Sequence, residues 1–256
     1  MVSLDITQVG RTPTYVISTQ NNRWAGPLNM PSQNEHGKLI AAAAKKALLP
    51  LGCVRKGQSR VWYSDQRFWA IWIEFQPSGW SKGSYLNVGT SCFWHAGAGF
   101  VPMYRPTDFI SFENVEQFTP LIENMAAVAA REVLTMRKRF GTLDDIQRHL
   151  SSHPLRDGWP VQNAAIASWL LGDIGLSRSL FQRMADWPTY GYDWQFELKR
   201  KSAGLAARLN GSADMLATLL ETIQHQRSLI RLPPDIHCLD DLPAARAVRR
   251  HQERST

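Results

Sequence analysis

The feature that most constrains this chain is a period of two. In FWAIWIEFQ, Phe68 to Gln76, the residues Trp69, Ile71, Ile73 and Phe75 fall on one side of an extended strand; Phe68, Ala70, Trp72, Glu74 and Gln76 fall on the other. SYLNVGTSCFW, Ser84 to Trp94, repeats the pattern, with Leu86, Val88, Cys92 and Trp94 opposed to Tyr85, Asn87, Ser91 and Phe93. The intervening PSGWSKG and the earlier SDQR, Ser64 to Arg67, are turn sequences. Val61 and Tyr63, alternating with Trp62, add one strand before them. Three consecutive antiparallel strands follow, one face of the sheet being covered.

The cover is helical. SQNE, Ser32 to Glu35, is a capping box whose hydroxyl and carboxylate each satisfy an orphan amide, and GKLIAAAAKKALL runs from it to about Leu49, where Pro50 and Gly52 stop it. A second helix is predicted from Thr119, with Pro120 at its first position, where a missing amide costs nothing. Ile122, Met125, Ala129, Val133, Met136 and Phe140 form its apolar stripe, and Gly141 closes it. Between strand and helix, His95 to Phe112 reads as a fourth strand or a long loop.

Beyond Gly141 the pattern is helical throughout. TLDD, Thr142 to Asp145, is a further capping box, and PVQNAAIASWLLGD, LSRSLFQRMADW, WQFELKRKSAGLAARLNG and SADMLATLLETIQHQRSLIRL give four helices, with Gly172, Pro188 and Asn210-Gly211 as stops. Helices joined this closely stack as hairpins, and no fixed-period repeat links them. The fold class is therefore α+β: a small antiparallel sheet packed with two helices, followed by an all-α helical-hairpin domain. The expected divisions are an extended N-terminal arm at 1–31, the α+β domain at 32–141, the helical domain at 142–231 and a mobile basic tail at 232–256.

ALLPLGCVRKGQSRVWY followed by IWIEFQPSGWSKGSYLNVG resembles a bacterial domain family catalogued as of unknown function, DUF four-three-zero-four. The resemblance rests on Leu51, Gly52, Arg55, Lys56 and Gly57, then Gln76, Ser78, Trp80, Tyr85, Asn87 and Gly89. Cys53 stands where the family has an aromatic residue, and Pro77 interrupts the segment between Gln76 and Ser78. It covers about residues 34 to 140 and leaves the helical half outside. It implies an α+β fold and carries no activity with it.

Composition narrows the function classes. With 256 residues, 44% of them hydrophobic, the chain can bury a substantial core. A formal charge of +7 favours an acidic partner. Three cysteines at wide spacing imply neither a disulfide framework nor a zinc ribbon, and together with the absence of a signal sequence they fit the cytoplasm of a bacterium. No run approaches the ~18 apolar residues of a membrane helix, so no membrane partner is expected.

Two groups of residues are candidates for binding. On the hairpin, Trp62, Trp72, Trp80 and Lys82 combine aromatic faces with nearby cations, which is what stacking on nucleic-acid bases requires, while a two-layer core would absorb the same rings. Gln76 and Asn87 either grip a ligand or pair with one another to fix strand register. Lys199, Arg200 and Lys201 in LKRK, like MRKR at 136–139 and RAVRR at 246–250, form a phosphate-binding surface if they converge and a solvated face otherwise. His149 and His153 sit four apart but lack a carboxylate at ligand spacing, and Ser91, Cys92 and His95 lack an orienting acid, so neither a metal nor a catalytic residue is assigned. No cofactor motif is present. The reading is a non-catalytic bacterial binding protein whose partner is another protein, in a toxin-neutralising (immunity) or phage-defence setting. The alternatives are a nucleic-acid-binding protein and an unrecognised enzyme; the residues leave the oligomeric state open.

Overall fold

The computed structural model describes residues 35–94, 100–152 and 158–254. The 1–31 arm, most of the Ser32 capping box, His95 and His153 lie outside them. The described residues form one compact unit.

Helix α1 (Glu35–Leu48) buries Ile40, Ala43, Ala44 and Leu48. A short 3-10 turn, Leu49–Leu51, ends it, and Gly52 supplies the left-handed cap at φ 71° that a side chain would disfavour. The sheet is antiparallel in the order β1 (Val54–Arg55), β2 (Val61–Asp65), β3 (Trp69–Gln76), β4 (Gly83–Cys92) and β5 (Ile110–Ser111). The three central strands match the sequence reading; β1 and β5 are two-residue additions, too short for a period to register. In the open segment before β5, Tyr104 exchanges both backbone bonds with Val88 at 2.9 Å. Pairing of Gly83 with Ser111 brings the chains so close that a Cβ at Gly83 would lie 2.1 Å from the Ile110 carbonyl oxygen.

The register puts Trp62, Ile73, Val88 and Ile71, Thr90 on one face, which packs on α2 (Val115–Arg139), itself packed against α1. Helix α2 begins four residues earlier than the sequence reading placed it. Asn114 is its cap, accepting the Gln117 amide at 2.8 Å, and the Phe118 ring meets Phe112 edge-on at 5.2 Å. Capping and ring burial thus carry Pro120 into the helix interior, against its preference for the first turn. Arg137, one of the MRKR cations, turns inward to Ser64 Oγ (2.8 and 3.0 Å) and the Leu51 carbonyl (2.7 Å).

The helical half consists of α3 (Leu143–Ser151), α4 (Gly158–Leu170), α5 (Ile174–Asp186), α6 (Asp193–Ala206), α7 (Ser212–Leu229) and α8 (Pro243–Glu253). Thr142 and Asp145 form the expected capping box. From Val161 to Leu170 every residue of α4 is buried, making it the central rod.

The seam expected at Gly141 is crossed by a shared core and by polar staples. Trp94 Nε1 donates to Asn163 Oδ1 at 2.8 Å inside the protein. Arg227 of α7, 2% exposed, grips both carboxylate oxygens of Asp65 (2.8 and 2.7 Å), the Arg67 carbonyl (2.5 Å) and the Pro233 carbonyl (2.9 Å). Arg67, in the β2–β3 turn, reaches the other way to Asp235 (3.1 Å), Asp241 (3.3 Å) and the His237 carbonyl (2.5 Å). Residues 232–254, read as a mobile tail, are therefore built into the fold: Cys238, Leu239, Ala244, Ala245 and Val248 are buried. The reading failed there because small alanines cover the core as well as large residues do when a helix packs close, yet contribute little to an apolar stripe.

Candidate binding surfaces

The hairpin residues separate into three environments. Trp62 lies directly across from Ile73 on the covered face and is buried, so it is a core residue and not a binding ring. Trp72, on the opposite face, is half-buried between Tyr63 and Gly89 and hydrogen-bonds the Tyr63 phenol, whose pKa is pushed up chiefly by burial.

Gln76 and Asn87 do come together. Asn87 Nδ2 donates to Gln76 Oε1 at 2.8 Å and to Glu74 Oε2 at 3.0 Å, while its Oδ1 accepts from Arg105 Nε at 3.1 Å. Arg105 also donates to Gln76 Oε1 (3.2 Å), and its guanidinium lies 4.1 Å over the Tyr85 ring. Both amide protons and the carbonyl of Asn87 are satisfied inside this network, so its first task is to hold the β3–β4 register and anchor the edge segment bearing Arg105.

Trp80 stands at the hairpin tip, 99% exposed, its amide tied to Ser78 Oγ at 3.1 Å. With Lys82, which is also exposed, it borders a shallow groove lined by His36 and Pro77 through Gly83.

The LKRK cations are committed locally. Lys199 Nζ donates to the Trp187 carbonyl at 2.8 Å, closing the end of α5. Arg200 makes two 2.8 Å bonds to Glu197, and Lys201 lies 3.3 Å from the same carboxylate. The Arg200 bonds above all hold the Glu197 carboxyl down at about 2. They lie on α6, against α4 and α5, apart from the hairpin sheet in the order of packing.

A further surface went unread in the sequence. The turn between α5 and α6 and the first turn of α6, WPTYGYDWQF, carry an aromatic residue at 187, 190, 192, 194 and 196. Trp194 stacks on Trp159 at 5.7 Å and 10°, and Trp187 tilts against Trp194 at 5.9 Å. Gly158 makes this base possible, since a Cβ there would sit 2.6 Å from the Trp187 ring. Buried Gln195 fastens the turn by accepting the Tyr190 amide at 2.6 Å. In the same segment Tyr190, Tyr192 and Phe196 are 73, 61 and 53% exposed. Pro188 registered only as a helix stop, and rings spaced by two within a turn belong to neither a helix nor a strand pattern; their density was the available signal.

Among the described residues no group of three or more His, Cys, Asp or Glu side chains is placed to hold a metal ion, and no helix is long and apolar enough to cross a membrane. Cys53, Cys92 and Cys238 are free and buried. Compared with family models, with curated proteins and with solved structures, the chain matches none.

Proposed function

We propose that this chain is a binding protein acting through contact with another protein, and that the α5–α6 aromatic turn makes the contact. The observation that carries the reading is the exposure of Tyr190, Tyr192 and Phe196 on a rigid indole base. Aromatic side chains dominate interface hot spots because they bury a large area for few rotatable bonds, and a fixed turn pays little ordering cost on binding. Local charge favours protein over nucleic acid. Between Asp186 and Lys201, the acids Asp186, Asp193 and Glu197 balance Lys199, Arg200 and Lys201, leaving no positive field to track a phosphate backbone. The cytoplasmic setting is part of the proposal, supported by three free, buried thiols. So is membership of the bacterial family that residues 34–140 resemble, supported by the meeting of Gln76, Tyr85 and Asn87 around Arg105.

The test places the photo-crosslinker benzoylphenylalanine at position 192 in the native cell. A discrete crosslinked protein is expected, with its co-purification lost in Tyr190→Ser/Phe196→Ser and kept in Leu134→Ser, which alters an exposed residue of α2. No crosslink at 192, or a partner that the double variant retains, refutes the reading.

A further inference from the structure

Helix α8 turns Ala244, Ala245 and Val248 inward. On its other side Arg246 and Arg250, and Arg254, which caps the helix with right-handed helical backbone angles, follow at four-residue steps, so their stems lie within roughly 80° of the helix circumference and rise about 6 Å from one to the next. All three are exposed, and no side-chain partner holds them among the described residues. They differ in this from Arg67, Arg137, Arg200 and Arg227, each committed to carboxylates, carbonyls or a hydroxyl. Arg249 flanks the row and is engaged by Asp240. Glu253 is the helix's only acid.

We propose that this arginine row is a docking surface for the sugar-phosphate backbone of a nucleic acid. The surface is distinct from the aromatic turn, and the proposal goes beyond the protein-binding reading. Three observations select the partner. A guanidinium fork matches two phosphate oxygens, and a regular row of forks suits an anion that repeats. Apart from Pro243 at its first turn, the outward side carries no apolar residue larger than Ala247, so it offers nothing to enter a lipid layer and no large anchor of the kind that fills a pocket on a protein. The apolar side is already spent on the core, which fixes the helix so that the row is presented without a cost for ordering its backbone. The contact is to the backbone and carries no sequence preference.

The experiment is fluorescence anisotropy of a labelled 20-base-pair DNA duplex and a 20-nucleotide RNA strand with the full chain, at several salt concentrations from about 50 to 200 mM. Three phosphate contacts contribute about 2.7 to the slope of log K against log salt on a duplex and about 2.1 on a single strand. R246Q/R250Q/R254Q is expected to lose that much slope, whereas R246K/R250K/R254K keeps it. K38Q/K45Q/K138Q, which removes equal charge from exposed positions on α1 and α2, is expected to change the slope by less than about 1. No binding at the lowest salt, an unchanged slope in the glutamine triple, or equal losses in both glutamine triples overturns the proposal. Binding of poly-L-glutamate that depends on the three arginines, without binding of either nucleic acid, overturns it in favour of an acidic protein.

Discussion

Replacing Arg227 by Met tests what joins the sheet to the helices. The change keeps much of the stem's volume and removes the fork that binds Asp65 through two oxygens and caps the Arg67 and Pro233 carbonyls. Removing one partner of a buried ion pair costs about 3–5 kcal/mol. Two features of the site place this case at the low end. The Asp65 side chain is 27% exposed and can regain water, and its Oδ1 still accepts the Arg67 amide at 2.9 Å. The expected loss is therefore about 3 kcal/mol, or roughly 6–12 °C in melting temperature for a unit of this size. Urea titration and thermal melting followed by circular dichroism give both quantities. Asp65→Leu combined with Arg227→Met should recover most of the loss, because an apolar pair replaces two buried charges without leaving one behind. A single-variant loss under about 1 kcal/mol, or a double variant as unstable as the sum of the singles, refutes the view that this pair is desolvated and coupled.

Further expectations rest on other contacts. Gly83→Ala forces a Cβ against the Ile110 carbonyl and should cost at least about 2 kcal/mol. It should also abolish hydrogen-exchange protection at the Phe112 amide, which donates to the Lys82 carbonyl at 3.0 Å; retained protection contradicts the register. Burial pushes the Cys238 thiol up to about 11 and raises Cys53 and Cys92 as well, so a colorimetric thiol reagent at about pH 8 should react with none of the three until the chain unfolds. Fast labelling of the native protein would show one of them to be accessible. For Asp235, burial alone would raise the pKa, yet the hydrogen bond and charge of Arg67 outweigh it and hold the carboxyl below its usual range. A folded value below the unfolded one, about 4, makes a contribution present above that pH and lost as pH falls through the folded value. Arg67→Gln should therefore flatten the decline of the urea midpoint between about pH 5 and pH 2, and an unaltered decline rules out this linkage.

The parts of the fold that were legible in the sequence are those where one physical signal acts alone. The period of two in β3 and β4 identified the apolar face because successive side chains of a strand point to opposite sides, and the structure buries Trp69, Ile71, Ile73 and Phe75 as that pattern requires. The Thr142 capping box and the stops of the helical half were legible for the same reason. Pro120 was misplaced because a local preference, proline at the first turn, lost to Asn114 capping and to the Phe112–Phe118 contact. Trp62 could be assigned only once the register set it across from Ile73, since a five-residue strand alternates equally well in either direction. The aromatic turn is tertiary in origin. Its rings are sorted into base and exposed row by Gly158 and Trp159, which lie about 30 residues earlier in the chain and whose neighbourhood no local pattern reports.

The charge of +7 was the least informative of the sequence signals, and the structure gives the reason. A guanidinium can be a clamp as well as a surface charge, because its five donors can satisfy carbonyls at places where the chain changes direction. Arg137 does this for Leu51, Arg227 for Arg67 and Pro233, and Lys199 does the same with its ammonium for Trp187. Each of these cations is counted in the net charge, although its field is largely spent inside the protein or on a neighbouring acid. What distinguishes a docking cation is the lack of such a commitment, together with a spacing that a ligand can match. Of the three basic clusters in the sequence, MRKR has one arginine turned into the core and LKRK is tied to Glu197 and Trp187. In RAVRR only Arg249 is engaged, and Arg246 and Arg250 continue to Arg254 in a single row. Spacing and freedom, more than the number of charges, therefore make α8 the place where a polyanion would be held.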